Sequence, residues 1–144
     1  MVVFAETLKP GQADIDAVLA TLAASVTDLG RDPGYQPYAV LLRDIPDGPV
    51  TGGLYGYQMF DWLFIQYVGV PKAQQGQGIG KELMGKAEAW SRERGLAGMW
   101  LDTFAFQARP FYEKLGFSVF GEIEDHPRGS RRFFMQKRLD GAAR

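Results

Sequence analysis

The chain has 144 residues, 46% of them hydrophobic, which is the length of one domain and enough apolar material for a buried core. Its 16 basic and 17 acidic side chains give a net charge of -1, so no positive field attracts a nucleic-acid backbone. The absence of cysteine and the single histidine exclude disulfides and a thiol nucleophile and argue against structural zinc. We therefore expect a single domain over residues 1–144, with no metal and no nucleic-acid partner.

The N-terminal segment predicts a short strand followed by a helix. Met1–Pro10 lacks the basic region and long apolar stretch of a secretory signal, and Val2–Leu8 has the composition of a strand. After the Pro10-Gly11 break, apolar residues recur at three- and four-residue spacing, namely Ile15, Val18, Leu19, Leu22, Val26 and Leu29. This spacing predicts a helix that packs on a core by one face. With no signal, we expect a cytoplasmic location.

The centre of the chain predicts three strands. Tyr38–Arg43 and Val50–Met59 are separated by a turn region, Asp44–Gly48. Trp62–Val70 is almost uninterruptedly apolar and is followed by Pro71, which predicts a strand buried on both faces of a sheet. The stretch is too short for a membrane span of about 20 residues, so we expect no membrane partner.

The second half alternates helices and strands. Apolar residues from Gly80 to Arg94 share one helical stripe, and Gly95 can end that helix. A strand, a short helix and two closing strands are predicted next, over Ala97–Phe104, Gln107–Leu115, Phe117–Ile123 and Arg132–Leu139. The alternation predicts a mixed sheet with helices on its faces, in the α/β (α+β) class.

A glycine-rich turn lies between the third predicted strand and the next helix. Its sequence is Gln75-Gly76-Gln77-Gly78-Ile79-Gly80. Alternate glycines allow a ligand close to the backbone, and the helix start offers unpaired N–H groups, so a pyrophosphate would bind there. A dinucleotide fingerprint needs glycine where Lys81 or Leu83 stands, and a P-loop needs Ser or Thr where Glu82 stands. The segment therefore matches neither nucleotide-binding motif. The alternative to a pyrophosphate site is a tight turn that binds no ligand.

Two motifs resemble the GNAT superfamily of acetyl-coenzyme A-dependent N-acetyltransferases. Gln75, Gly78 and Gly80 are similar to that family's coenzyme A pyrophosphate motif, and the segment Phe111–Phe117 is similar to its Phe-Tyr-Glu-Lys-x-Gly-Phe signature. The resemblance covers roughly residues 63–139 and implies a mostly antiparallel central sheet with splayed strands. The cofactor-binding positions that it implies are Val68, Gly69, Val70, Gln75, Gly76, Gln77, Gly78, Ile79, Gly80 and Lys81.

The resemblance also assigns Tyr112 as the group that protonates the departing thiolate. A phenol of pKa about 10 transfers its proton uphill to a thiolate of pKa about 8.5, so hydrogen bonding is at least as plausible. Tyr112 also lies on an apolar helical stripe, so core packing is the alternative. Ala105 stands where the family often has asparagine, and Gln107 could substitute for it as a cofactor contact or serve as a helix cap.

The general base stays unassigned. Gln66 cannot accept a proton. The candidates are Asp61, Asp102, Glu122 through a chain of waters, and His126, although such carboxylates are more often strand-end or surface charges and His126 is typical of a solvated loop. An aromatic-rich stretch could line the acceptor pocket or the core, and comprises Tyr55, Tyr57, Phe60 and Trp62. Basic residues near the C-terminus are typical of a solvated strand edge, and comprise Arg128, Arg131, Arg132, Lys137 and Arg138.

The resemblance implies an enzyme that moves an acetyl group from acetyl-coenzyme A to a primary amine by direct attack in a ternary complex. Backbone N–H groups around Val68–Val70 would stabilise the negative oxygen that develops during attack. The acceptor is a small molecule or a peptide, and a homodimer is compatible with the sequence. The alternative is a catalytically idle module that binds acetyl-coenzyme A as a sensor.

Overall fold

The computed structural model describes residues 1–141, in two compact units that divide after Pro33. The first unit contains one helix, α1 (Gln12–Asp28), as the apolar spacing predicts, although none of its residues is buried. The strand predicted over Val2–Leu8 is wrong, because residues 1–7 belong to no helix or strand and Phe4 is 92% exposed. Strands need a paired edge for their backbone groups, and no ladder includes this segment.

The second unit, from Gly34 onward, contains a six-stranded sheet within its described residues. The strands are β1 (Gln36–Arg43), β2 (Val50–Met59), β3 (Trp62–Gly69), β4 (Gly98–Phe104), β5 (Ser118–Glu124) and β6 (Arg131–Arg138). The helices are α2 (Ile79–Glu93) and α3 (Arg109–Lys114), with a 3-10 turn at Lys72–Gln74. The strand order is β1-β2-β3-β4-β6-β5, and only β3 and β4 pair in parallel. The predicted α+β class and mostly antiparallel sheet are confirmed.

One face of the sheet packs against α2. The helix buries Leu83, Met84 and Ala87, which join the core that Leu63, Met99 and Met135 form on the central strands. Burial of these apolar side chains is the main force that holds the helix to the sheet. Within residues 1–141, no helix combines the length and the apolar character that a bilayer crossing requires.

The two parallel strands separate halfway along their length. β3 pairs with β4 only from Trp62–Gly98 to Ile65–Leu101, although both strands continue. On its other edge β3 pairs with β2, and Gln66 is the extra residue of a bulge between Ile65 and Tyr67. Because a bulge bends its strand and increases the twist, it turns β3 away from β4 at this point. The predicted splayed central strands are thus confirmed.

The splay corrects one detail of the prediction for β3. Leu63 and Ile65 are buried, but Gln66, Tyr67 and Gly69 are exposed, so the strand is not buried on both faces throughout. The apolar run in the sequence reflects burial in the first half of β3. In the second half, the missing neighbour on the β4 side leaves side chains open to solvent.

Candidate active site

The gap between the splayed strands is a cavity of about 550 Å³, here called the cleft. β3 and β4 form two of its walls, and the lining residues are Phe64, Ile65, Gln66, Tyr67, Val68, Leu101, Asp102, Thr103, Phe104, Gln107, Ala108, Tyr112 and Arg132. Beyond Ile65 the β3 edge that faced β4 has no strand partner. Such an edge presents unpaired N–H and C=O groups, which are available to a ligand.

A second cavity, of about 460 Å³, lies at the start of α2 and is here called the turn cavity. It brings together eight of the positions predicted to bind a cofactor: Val68, Val70, Gln75, Gly76, Gly78, Ile79, Gly80 and Lys81. The other lining residues are Gln74, Ala108, Phe111 and Tyr112. Gly69 and Gln77 line neither cavity, and Gln107 lines only the cleft.

The glycines of the turn serve two different purposes. Gly76 and Gly78 have φ angles of +82° and +78°, and a Cβ at either position would meet nothing within 4 Å. They are needed for the left-handed backbone, and they leave the space beside it open. Gly80 is helical, and a Cβ there would lie 3.3 Å from Cζ of Phe111, so this glycine lets α3 approach α2 closely.

The start of α2 leaves backbone donors free in the turn cavity. Gly78 is the N-cap, and its carbonyl oxygen accepts the first helical hydrogen bond, from N–H of Glu82 at 3.0 Å. The N–H groups of Ile79, Gly80 and Lys81 precede that bond and have no partner in the helix. Three donors at the positive end of a helix dipole can hold an anion, although Glu82 in the first turn partly opposes it.

Two glutamine side chains hold the turn itself. Nε2 of Gln75 donates to the carbonyl oxygen of Val70 at 3.1 Å, and Nε2 of Gln77 donates to that of Ala73 at 3.4 Å. Gln75 therefore fastens the turn to the end of β3. The lining of the turn cavity consequently depends on a side-chain bond as well as on the glycines.

Tyr112 lies where the cleft and the turn cavity meet. Val68, Ala108 and Tyr112 line both, and Tyr112 is only 8% exposed, with its ring edge-on to Phe111 and Phe117. Its hydroxyl has no hydrogen-bond partner among residues 1–141. Tyr112 is thus both a core aromatic and a cavity wall. Burial raises its pKa, and the negative charge of Asp102 raises it further.

Gln107 is engaged at the end of β4. Its Oε1 accepts a hydrogen bond from N–H of Phe104 at 3.1 Å and one from Oγ1 of Thr103 at 3.5 Å. The hydroxyl of Thr103 in turn accepts from N–H of Ala108 at 3.4 Å. These bonds close the connection from β4 to α3, so the side chain positions the helix that carries Tyr112.

Of the four candidate bases, only Asp102 lines either cavity. Its Oδ1 accepts from both Nε and Nη2 of Arg132, at 2.9 and 2.8 Å, and the carboxylate is 18% exposed. Glu122 pairs with Arg131 at 3.2 Å, and His126 packs edge-on against Phe104. The described residues contain no group of three or more His, Cys, Asp or Glu that could hold a metal ion.

The aromatic-rich stretch does not line the cleft. Its four residues, Tyr55, Tyr57, Phe60 and Trp62, contribute to neither cavity. They lie on β2, in the β2–β3 turn or at the first residue of β3, whereas the part of β3 that lines the cleft begins at Phe64. Its aromatic walls are instead Phe64, Tyr67 and Phe104, which no local pattern in the sequence distinguishes from core residues.

The basic residues near the C-terminus are distributed over separate ion pairs. Besides Arg131 and Arg132, Lys137 pairs with Glu88 at 2.6 Å and Arg138 with Asp140 at 2.9 Å. The prediction of a solvated strand edge is wrong for Arg132 and Lys137, because β6 lies between β4 and β5 in the sheet and these two side chains are only 29% and 23% exposed.

Comparisons with known proteins agree on one family. Residues 16–117 match the sequence profile described as the acetyltransferase (GNAT) family, and that range includes both motifs. An acetyltransferase of Agrobacterium fabrum is 38% identical over 93 residues, covering 65% of this chain and 68% of that protein. Blasticidin-S acetyltransferase of Streptomyces morookaense is 34% identical over 93 residues, covering 64% and 68%. A crystal structure from Agrobacterium tumefaciens, provisionally named an acetyltransferase, superposes with a TM-score of 0.86 at 29% identity, covering 96% of this chain and 100% of that one.

Proposed function

The chain belongs to the acetyltransferase (GNAT) family, and on that premise we propose that it transfers the acetyl group of acetyl-coenzyme A to the primary amine of a small molecule. One observation carries the proposal: the cleft and the turn cavity meet at Tyr112. A ligand with a pyrophosphate at one end and a reactive group at the other could occupy both. The acetylated amine would form in the cleft.

The residues present suit coenzyme A at the turn cavity. The three free N–H groups at the start of α2 would receive the pyrophosphate, and Lys81 adds a positive charge beside them. The left-handed Gly76 and Gly78 leave room for phosphate oxygens against the backbone. From there Val70 and Val68 lead along β3 into the cleft, where the unpaired strand edge can bind an extended arm as a strand binds its neighbour.

The chemistry divides between the co-substrate and the chain. Acetyl-coenzyme A would supply a thioester, whose carbonyl carbon gains a bond to the nitrogen of the neutral amine and loses its bond to sulfur. The ammonium form gives one proton to solvent before the attack, the tetrahedral adduct gives a second, and the departing thiolate takes one proton from solvent. Backbone N–H groups on the free edge of β3 beyond Ile65 would face the carbonyl oxygen and favour its negative charge. Tyr112, at the junction of the cavities, would donate a hydrogen bond to the sulfur.

The raised pKa of Tyr112 supports one of two roles for its hydroxyl. A phenol that holds its proton more firmly than usual is a poor donor of a whole proton to a thiolate. It remains an intact hydrogen-bond donor across the working range of pH. We therefore assign Tyr112 to hydrogen bonding of the departing sulfur.

The size of the cleft favours a small-molecule acceptor. A volume of about 550 Å³ lies inside the range of about 300–1,000 Å³ that is usual for small-molecule sites. One relative is named for the acetylation of blasticidin S, which also favours a small molecule over a peptide.

The single-domain organisation over residues 1–144 and a cytoplasmic location remain part of this proposal.

The test combines binding with turnover. Acetyl-coenzyme A at 100 times its dissociation constant should stabilise the folded protein by about 2.7 kcal/mol in a melting scan, and ATP or NAD should do less. Release of free coenzyme A is then followed across a panel of primary amines. A larger shift with ATP or NAD would overturn the placement of the cofactor.

A catalytically idle sensor, the alternative to an enzyme, would give a different combination of stabilisation and turnover. It would be stabilised by acetyl-coenzyme A but release no coenzyme A with any amine, small or peptidic, above the rate of hydrolysis. Stabilisation with turnover on peptides alone would keep the enzyme and overturn the small-molecule acceptor.

A further inference from the structure

Among the described residues 1–141, Asp102 holds the one carboxylate that lines the cleft. It lies on β4 beyond Leu101, the last residue of that strand to pair with β3, and therefore where the two strands have separated. Arg132 on neighbouring β6 is the one basic residue that the described part of the chain contributes to the same lining. The cleft thus combines a neutral ion pair with the aromatic rings of Phe64, Tyr67 and Phe104.

The ion pair uses only half of the carboxylate. Both contacts from Arg132 go to Oδ1, at 2.8 and 2.9 Å, and Oδ2 has no hydrogen-bond partner among residues 1–141. An ionised carboxylate can accept about four hydrogen bonds, so the group keeps unused capacity. Arg132 is itself fixed over the rings of Phe104 and Phe134, at 5.5 and 5.2 Å, which holds Asp102 in one orientation.

Asp102 is also near the reacting centre. Its charge acts on Tyr112, whose pKa it helps to raise, and both side chains line the cleft. A cation bound at Oδ2 would therefore lie on the acceptor side of the junction between the two cavities.

We infer that Asp102 is the specificity residue for the acceptor: its Oδ2 binds the ammonium group of a cationic primary amine, while Phe64, Tyr67 and Phe104 hold a flat apolar group attached to that amine. This inference rests on the proposed function, because it describes the second substrate of the same site. An ammonium is attracted both to the free carboxylate oxygen and to the faces of aromatic rings. The acceptor class is an aralkyl or heteroaryl amine that is positively charged when it enters the cleft.

The experiment compares two probes of nearly equal shape on protein saturated with coenzyme A that carries no acetyl group, so that the amine binds without being acetylated. One is 2-phenylethylamine, a cation at pH 7, and the other is the neutral 2-phenylethanol. Binding is followed by chemical-shift changes of backbone amides on β3 and β4. We expect the amine to bind about 10- to 100-fold more tightly, the range for a hydrogen bond between charged groups.

Two isosteric variants complete the test. Asp102→Asn can still accept a hydrogen bond from Arg132 but carries no charge, so the two probes should bind equally. Glu122→Gln removes the carboxylate of a similar ion pair, between Glu122 on β5 and Arg131 on β6. This pair does not line the cleft, so the variant should retain the full preference for the amine over the alcohol. Equal binding of both probes to the unmodified protein, or an unchanged preference in Asp102→Asn, overturns the inference.

Turnover gives a second measurement. The assignment to binding predicts that Asp102→Asn raises KM for 2-phenylethylamine about 10-fold or more, with a smaller effect on kcat. A fall in kcat alone would make Asp102 a proton acceptor and refute the specificity role. Acetyl-coenzyme A affinity, measured separately by the melting shift, shows whether the proposed function fails instead.

Discussion

Nζ of Lys137 lies 2.6 Å from Oε1 of Glu88 and 2.8 Å from the carbonyl oxygen of Leu115. The three residues belong to β6, to α2 and to the end of α3, so one ammonium group ties the helix of the turn cavity to the helix that carries Tyr112. The Glu88 and Lys137 side chains are 27% and 23% exposed, which shields the pair from most solvent screening.

Stability should therefore depend on the ionisation of Glu88. Burial alone would raise its pKa, but the hydrogen bond and charge of Lys137, aided by Arg92, outweigh burial and hold the pKa below its ordinary value of 4.5. A lowered pKa means that the contribution is present above about pH 4.5 and is lost as pH falls through the folded value. We expect Glu88→Gln to lower the free energy of unfolding by about 1.5–3 kcal/mol at pH 7.

The measurement is urea denaturation at pH 7, 5 and 3, with Glu113→Gln as the matched control. Glu113 pairs with Arg109 at 3.4 Å, but the two side chains are 45% and 40% exposed, so its loss should cost under about 0.5 kcal/mol. The gap between the unmodified protein and Glu88→Gln should close towards pH 3. A gap that persists at pH 3 would assign the effect to packing instead of charge.

A comparison of Gly78 with Gly95 distinguishes the effect of backbone strain on stability from the effect of a side chain on ligand binding. Gly78 at the start of α2 and Gly95 after its end have φ angles of +78° and +69°, and a Cβ at either would meet nothing within 4 Å. Replacement of either by alanine should cost about 1–2 kcal/mol of stability, because an L residue is strained in that conformation. Only Gly78→Ala also places a methyl group beside the proposed phosphate site.

Calorimetry with acetyl-coenzyme A distinguishes the two variants. We expect Gly95→Ala to bind as the unmodified protein does and Gly78→Ala to bind about 10-fold more weakly or worse, a loss of about 1.4 kcal/mol. Equal affinities in the two variants would contradict the placement of the pyrophosphate at the start of α2.

Sequence patterns were most accurate where local rules determine the structure. The strand Val50–Met59 was predicted to the residue, and the helix predicted from Gly80 to Arg94 is α2, shifted by one residue at each end. Family membership was also predictable, because the Gln75–Gly80 and Phe111–Phe117 motifs are contiguous in the chain. Such features depend on neighbours in sequence, which the pattern displays directly.

The cleft could not be predicted in the same way. Its walls depend on where β3 leaves β4, and the bulge at Gln66 that accompanies the departure has no local signature. Phe64 and Phe104 are 40 positions apart and line one cavity only because the strands are parallel. The partner of Asp102, Arg132, likewise arrives from β6 through sheet order alone.

The bulge itself can be tested through Gly56 on β2. A Cβ at Gly56 would clash with the backbone oxygen of Phe64 and lie 3.1 Å from Cα of Ile65, so the two strands would have to move apart. We expect Gly56→Ala to lower the free energy of unfolding by about 1–3 kcal/mol or more, as overpacking does. Urea denaturation monitored by tryptophan fluorescence measures the loss.

Gly85 provides a control in which substitution by alanine should raise the free energy of unfolding instead of lowering it. It is exposed within α2, where a Cβ would meet nothing within 4 Å, so Gly85→Ala should stabilise the protein by about 0.5–1 kcal/mol through helix propensity. If Gly56→Ala proved as stable as Gly85→Ala, the close approach of β2 to the bulge would not be required for the fold.

The remaining prediction concerns the hydroxyl of Tyr112. Tyr112→Phe keeps the ring between Phe111 and Phe117 and removes a hydroxyl that has no hydrogen-bond partner within the described chain, so stability should change little. If that hydroxyl donates a hydrogen bond to the departing sulfur, kcat should fall by about 10- to 100-fold, the range for a hydrogen bond to a charged group, with little change in acetyl-coenzyme A affinity. Steady-state kinetics with the best amine of the panel provides the measurement.

Tyr38→Phe is the matched control, because Tyr38 also has a pKa raised by burial and stacks on Trp90 at 4.5 Å, away from both cavities. It should leave kcat unchanged. The raised pKa of Tyr112 predicts further that any loss of kcat from phenol ionisation has its midpoint above pH 10, the ordinary value for tyrosine. Full turnover per folded molecule in the Tyr112→Phe variant would limit the role of this side chain to core packing. The sulfur would then depart without a hydrogen bond from Tyr112.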